Sequence, residues 1–305
     1  MISLPAKIRL RKSKEMGTPL ISVIMPTLNS REKIDAALNS LIEQDSRCFE
    51  VVFSDGGSID GTIEHALSKL RSHGIEAFAI VAIGSSVYGA INHGVRTARG
   101  QWHYVLGSDD SLYTATIFSE IQPVLIHSSA DVVYGDAWFE IKDGFVYGGP
   151  FWLNRLAALN ICHQSIFYRA RRIAELGISY DERYPLCADW DYNIKLFSCS
   201  RFQHLPLIVS RFSCSGISSS QIDTRFEDER YQRIREYFGW RSFFLLSPDW
   251  LSRCLKNHPS PLNRIGLAVN RLIHNLNRRF SPPRRRQDLR HLVFAGSQLP
   301  LNLPH

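Results

Sequence analysis

Leu20-Ile21-Ser22-Val23-Ile24-Met25, closed by Pro26-Thr27-Leu28-Asn29, is an apolar run of strand length that ends in a polar turn. Working outward, the same unit recurs. Apolar residues at three-to-four spacing (Ile34, Ala37, Leu38, Leu41, Ile42) predict a helix, with Asn29 or Ser30 as its cap. Phe49–Phe53 reads as a second strand, Ile59–Ser72 as a helix, Glu76–Ile83 as a third strand, Val87–Ala98 as a helix and Gln101–Leu106 as a fourth strand. Strands alternating with helices of this length imply an α/β fold with a mostly parallel sheet flanked by helices. Such sheets bind ligands at the carboxyl ends of their strands. The polar clusters Thr27-Leu28-Asn29, Asp55-Gly56-Gly57-Ser58 and Ser108-Asp109-Asp110 all fall there.

Beyond Asp110 the alternation loosens. A helix is expected near Thr114–His127, a strand at Asp131–Tyr134, and a hairpin over Trp138–Tyr147 turning at Lys142-Asp143-Gly144. His163–Tyr168 reads as a strand, and Ala170–Leu176, Asp189–Phe197 and Glu227–Tyr237 read as helices.

Composition bounds the function. The chain has 305 residues, 44% of them hydrophobic and 21% charged, an ordinary globular balance. The net charge of +7 is unevenly placed: residues 251–305 hold ten Lys/Arg against one acid, Asp288, which leaves the first 250 residues at −2. The basic balance therefore belongs to the tail, which argues against a nucleic-acid partner for the core. Six cysteines form no C-x-x-C pair or zinc spacing and fit a reducing compartment. Met1–Lys14 is basic but lacks the apolar stretch of a secretory signal, and no run approaches the ~18 apolar residues of a membrane span. The expectation is a cytoplasmic protein.

The position after the first strand has no glycine, so it lacks the G-x-G-x-x-G of a dinucleotide fold, and no G-x-x-x-x-G-K-[ST] occurs. Asp109-Asp110 at a strand end suits Mg²⁺ or Mn²⁺, which take one or two carboxylates plus substrate phosphates. A strand-end turn with a capping Asp is the alternative.

Five segments in order resemble the inverting family-2 glycosyltransferases of the GT-A fold, in a branch devoted to bacterial surface polysaccharides. They are Val23–Asn29; Phe53–Thr62; Ala90-Ile91-Asn92-His93-Gly94 with Ala98-Arg99-Gly100; Leu106–Asp110; and Cys162–Arg169 with Ala188-Asp189-Trp190-Asp191. The resemblance implies a Rossmann-like, mostly parallel sheet flanked by helices over 18–240, a nucleotide-binding half at 18–136 and an acceptor-binding half at 137–240. A basic segment at 1–17 would precede this domain, and a helical C-terminal appendage at 241–305 would follow it. It implies transfer of a sugar from a nucleotide-sugar donor, UDP-linked, to an acceptor hydroxyl of a glycan or lipid-linked glycan, in polysaccharide or glycolipid synthesis. Donor contacts would come from Thr27, Asn29, Asp55, Ser58, Asn92, Ser108 and Asp109. Asp110 with Asp109 would hold Mn²⁺ or Mg²⁺, and Asp55 would accept the uracil N3–H. Asp189 would be the general base, with Asp191 the second choice; His163, Gln164 and Trp190 would lie on the acceptor side. Branch members often read D-x-G-I-Y-D-A before the Asn, whereas this chain reads Gly84-Ser85-Ser86-Val87-Tyr88-Gly89-Ala90, with both acids gone. Competing readings are a nucleotide-sugar-binding protein without turnover and a metal-dependent nucleotidyltransferase.

In the tail, Leu262, Ile265, Val269, Leu272, Ile273, Leu276 and Phe280 recur at three-to-four spacing with Arg264, Arg271, Arg278 and Arg279 beside them, and Arg284-Arg285-Arg286 follow. Two readings fit this basic amphipathic pattern over 262–290: an anionic membrane surface on the inner face, or packing against the catalytic domain.

Overall fold

The computed structural model describes residues 17–141, 143–213, 222–240 and 242. The segment 1–16 and the amphipathic stripe at 262–290 lie outside the described residues. In chain order the described elements are β1 Ile21–Thr27, α1 Asp35–Ile42, β2 Phe49–Asp55, α2 Thr62–Ser72, β3 Ala77–Val81, α3 Val87–Thr97, β4 Trp102–Val105, β5 Ser111–Leu112, α4 Ile117–His127, β6 Val132–Phe139, β7 Phe145–Tyr147, α5 Leu153–Ala158, a 3-10 turn at His163–Ser165, β8 Ile166–Arg169, α6 Ala170–Leu176, α7 Ala188–Cys199, β9 Phe202–Phe212 and α8 Thr224–Phe238.

These strands form one sheet in the order β3-β2-β1-β4-β8-β6-β9-β5, with β7 paired to β6 as a hairpin. The first four are mutually parallel. β8 runs antiparallel to β4 and to β6, β9 runs parallel to β6, and β5 runs antiparallel to β9. The sheet is therefore parallel over its first four strands and mixed beyond β4. Asp136 and Ala137, on either side of the expected division between the halves, both lie inside β6.

Alternate strand residues feed opposite faces. Ile21, Val23 and Met25 of β1 enter a core with α1, α2 and α4, while Ile24 enters a second core with Tyr88 and Ile91 of α3 and Trp190 and Ile194 of α7. Gly94 explains part of the A-x-N-x-G segment: a Cβ there would lie 2.5 Å from Ile24 Cγ2, so only glycine lets α3 sit this close to β1.

α1 begins at Asp35, later than its expected cap, and Ile34 offers no side-chain cap. The polar groups of residues 29 and 30 are used elsewhere. Asn29 is left-handed (φ 46°) and its Oδ1 accepts from the Ile59 N–H at 3.0 Å, while the Ser30 N–H donates to Thr62 Oγ1 at 2.9 Å. These residues tie two strand-end loops together instead of starting a helix. The strand expected at His163–Tyr168 divides into a 3-10 turn and the shorter β8.

Candidate active site

Three loops meet at the carboxyl edge of the parallel strands. Thr27 and Asp55 are register partners on β1 and β2, and Thr27 Oγ1 donates to Asp55 Oδ1 at 2.9 Å. Ser58 Oγ donates to the same oxygen at 2.6 Å, while the N–H groups of Gly57 and Ser58 donate to Oδ2 at 3.0 and 2.7 Å. The four acceptor positions of the carboxylate are thus occupied from within the chain. Asp55 organises the loop and presents no free edge to a base. The Asn29 N–H donates to Ser58 Oγ at 2.8 Å, and Ser108 Oγ donates to Ser30 Oγ at 3.1 Å, which joins the third loop to the first.

Asp110 is buried at that third loop. Its Oδ2 accepts from Gln164 Nε2 at 2.9 Å and its Oδ1 from the Ser213 N–H at 3.0 Å. Burial, then the adjacent Asp109 charge, push its carboxyl up to about 7. Among the described residues no Lys, Arg or His is ion-paired with Asp109 or Asp110. A buried oxygen donor set that lacks a balancing positive charge fits a hard divalent cation. Among the described residues no group of three or more His, Cys, Asp or Glu gathers.

Asp189 lies in the first turn of α7, half-buried. Tyr88 Oη donates to its Oδ1 at 2.8 Å and Asn160 Nδ2 to its Oδ2 at 2.7 Å. Asn160 is held in turn: its Oδ1 accepts from Asn193 Nδ2 at 2.9 Å, Asn193 Oδ1 accepts from Tyr168 Oη at 2.8 Å, and the Asn160 carbonyl accepts from Tyr147 Oη. Burial raises the Asp189 carboxyl to about 6, and the Tyr88 and Asn160 donors pull against that rise. Asp191 points elsewhere: it is buried and accepts from Tyr237 Oη of α8 at 2.9 and 3.2 Å.

One short segment connects the two acids. Asn160 at one end binds Asp189 and Gln164 at the other binds Asp110. Four residues of chain span at most about 14 Å. The acid pair and the α7 carboxylate are therefore tied to the two ends of one short segment, with Ile161–His163 between them.

The expected acceptor-side residues are placed differently. Gln164 serves Asp110, as above. His163 is buried, its Nε2 sits 2.9 Å from Tyr180 Oη, and burial pushes its pKa down to about 4, so it is a neutral member of an aromatic cluster. Trp190 is also core: its indole N–H donates to the Leu156 carbonyl at 2.6 Å, its ring centroid lies 5.2 Å from that of Phe226, and Arg230 covers it at 4.7 Å. Asn92, expected on the donor, spends both ends of its amide on the Tyr180 backbone, donating to the carbonyl and accepting from the N–H, each at 2.9 Å. No motif in the sequence marks Asn160 or Asn193. Only their contact with residues some 30 positions away reveals them.

This sheet with its edge loops and acid pair is the GT-A architecture. Staphylococcus aureus TarS 1-349 in complex with UDP-GlcNAc superposes with a TM-score of 0.62 at 19% identity, covering 77% of this chain and 72% of that one. The mannosyltransferase PcManGT from Pyrobaculum calidifontis, in complex with GDP-Man and Mn²⁺, superposes with a TM-score of 0.51 at 14% identity, over 88% of this chain and 77% of that one. The pattern of Glycosyl transferase family 2 matches residues 22–180. A PGL/p-HBAD biosynthesis glycosyltransferase of Mycobacterium bovis is 37% identical over 217 residues, covering 69% of this chain and 84% of the relative. A chondroitin synthase of Pasteurella multocida is 25% identical over 214 residues, 68% of this chain but 22% of that protein. The chain belongs to glycosyl transferase family 2 and is a glycosyltransferase.

Proposed function

We propose that this enzyme transfers a sugar with inversion from a UDP-sugar to the hydroxyl of a glycan or lipid-linked glycan, with Asp189 as general base. The observation that carries the reading is the Asp189 carboxylate, fixed by two neutral donors, with no ion-paired Lys, Arg or His among the described residues, and one short segment away from Asp110. A carboxyl held at about 6 is mostly ionised at neutral pH yet basic enough to accept a proton as the acceptor oxygen attacks. In that step the acceptor O–C1 bond forms and the proton passes to Asp189. The bond from C1 to the diphosphate oxygen breaks from the opposite face, and the nucleoside diphosphate leaves with the electron pair.

The loop of Thr27, Asn29, Asp55 and Ser58 shapes the base pocket, with Ser108 closing it. Asp110 and Asp109 would hold Mn²⁺ or Mg²⁺, which, when bound, offsets charge on the diphosphate. The basic stripe at 262–290 supports a lipid-linked acceptor at the inner membrane face.

The experiment is a panel of UDP-, GDP- and dTDP-sugars incubated with the protein, with and without Mn²⁺, reading nucleoside diphosphate release and the anomeric configuration of the product. Metal-dependent release and an inverted anomer are expected. Full release in a metal-stripped sample contradicts the assignment of Asp109 and Asp110, and a retained anomer contradicts the single-base displacement.

A further inference from the structure

Glu182 lies in the segment between α6 and α7, and no motif in its neighbourhood marks it. The structure brings this segment onto the first turns of α3. Asn92 does the pinning: its amide is bidentate to the Tyr180 backbone, donating and accepting at 2.9 Å. Two residues on, the Glu182 carboxylate comes to rest against Gly89. A Cβ at position 89 would stand 2.4 Å from Glu182 Oε2 and 3.2 Å from Oε1. Ser86 Oγ donates to the same Oε2 at 2.7 Å while it caps α3 by accepting from the Gly89 N–H at 3.0 Å. The carboxylate therefore occupies the volume that a side chain at position 89 would fill. On the same turn of α3, Tyr88 reaches Asp189.

The geometry points to a replacement. Position 89 is where the second acid of the D-x-G-I-Y-D-A pattern falls, and this chain has glycine there. We propose that Glu182 supplies, from the segment between α6 and α7, the carboxylate that the first turn of α3 lacks, and that it accepts hydroxyl hydrogens of the donor's sugar ring as a specificity-determining residue. Three observations support a ligand role over a purely structural one. Glu182 is exposed, no Lys or Arg among the described residues is ion-paired with it, and its Oε1 has no hydrogen-bond partner among them. A carboxylate with a free oxygen is matched to neighbouring sugar hydroxyls, which are donors. The inference rests on the nucleotide-sugar reading above and adds the residue that discriminates among sugars.

The test is calorimetric, so it reads Glu182 even if turnover is absent. Affinities of wild type, Glu182→Gln and Glu182→Ala are measured for UDP-glucose, UDP-galactose, UDP-GlcNAc and GDP-mannose, beside UDP and GDP alone, all with Mn²⁺. The tightest nucleotide sugar should lose about tenfold or more in both variants, while its parent diphosphate binds unchanged and Tm stays within the wild-type range. Gly89→Asp combined with Glu182→Ala should recover most of that loss, because the acid returns from α3 into the vacated volume. Three results overturn the proposal: Glu182→Gln leaves the sugar's contribution unchanged; it weakens the bare diphosphate equally; or wild type binds no nucleotide sugar more tightly than its diphosphate. Nucleoside diphosphate release by wild type with an unaffected Glu182→Gln variant would sink this inference alone and leave the transferase reading standing.

Discussion

At the scale of single residues, the proposed chemistry rests on Asp189. Its carboxyl is raised to about 6 because burial penalises the charge, and Tyr88 and Asn160 limit the rise by donating to the ionised form. As the proposed base, Asp189 would work only when deprotonated. The acid limb of log(kcat/KM) against pH should therefore fall below about pH 6, with full activity above it. Removing a donor disfavours the anion, so Tyr88→Phe and Asn160→Ala should each move that limb to higher pH, Tyr88→Phe further. A pH–rate profile that both variants leave in place would show that a different group titrates. His163 offers no substitute, since burial holds its pKa down near 4. The stability consequence has the opposite sign. A carboxyl whose folded pKa lies above the ordinary 3.8 contributes stability at low pH that is lost as pH rises towards about 6. Neutralising Asp189 is therefore not expected to destabilise the fold at neutral pH. Asp189 itself could be singled out in the sequence by its segment, Ala188-Asp189-Trp190-Asp191, and Asp191 set apart by helix geometry. Asn160 and Glu182 could not, because their roles come from contacts 29 and 96 positions distant.

At the scale of elements, the parallel strands and their helices were legible because strand and helix periods alternate cleanly from Leu20 to Leu106. β9 was not. Its stretch contains Gln203, His204 and Pro206, and a proline argues against an interior strand. The structure accommodates Pro206 at an irregularity where pairing with β6 steps from Tyr134↔His204 to Asp136↔Ile208. β5, of two residues, and α5, of six, are too short to leave a period. The A-x-N-x-G…A-x-G segment reads here as architecture. Gly94 admits β1, Asn92 pins the Tyr180 segment, and Gly100 lies where a Cβ would stand 2.5 Å from the Ser22 nitrogen. Between them, Arg99 Nε donates to the fully buried Glu50 at 2.8 Å, the Arg99 N–H donates to it at 2.8 Å, and Ser22 Oγ does so at 2.6 Å. Arg99→Met should keep the packing over Phe78 but leave Glu50 a buried carboxylate without its cation. Since the guanidinium is 49% exposed, the expected loss is about 2 kcal/mol rather than the larger cost of breaking a wholly buried pair. A denaturant midpoint equal to that of wild type would show that Ser22 and the backbone satisfy Glu50 unaided.

The whole molecule divides its labour along the chain. In the proposed function the sheet and its edge loops handle the donor, and the net positive charge belongs to residues 251–305. No helix among the described residues is long and apolar enough to cross a membrane. If the basic stripe at 262–290 holds the enzyme on an anionic surface, the full chain should sediment with vesicles rich in anionic lipid and release from them as salt rises. A chain truncated after Pro248 should stay folded and active on a soluble acceptor but remain in the supernatant. Loss of the fold on truncation would instead make the stripe part of the core. The central claim, that Asp189 is the base of sugar transfer, is tested most directly by the turnover of Asp189→Asn measured beside its affinity for the nucleoside diphosphate. Turnover should fall by about 10²-fold or more with diphosphate affinity unchanged. A variant that binds the diphosphate normally and keeps more than about a tenth of wild-type turnover would contradict the claim and place the base elsewhere.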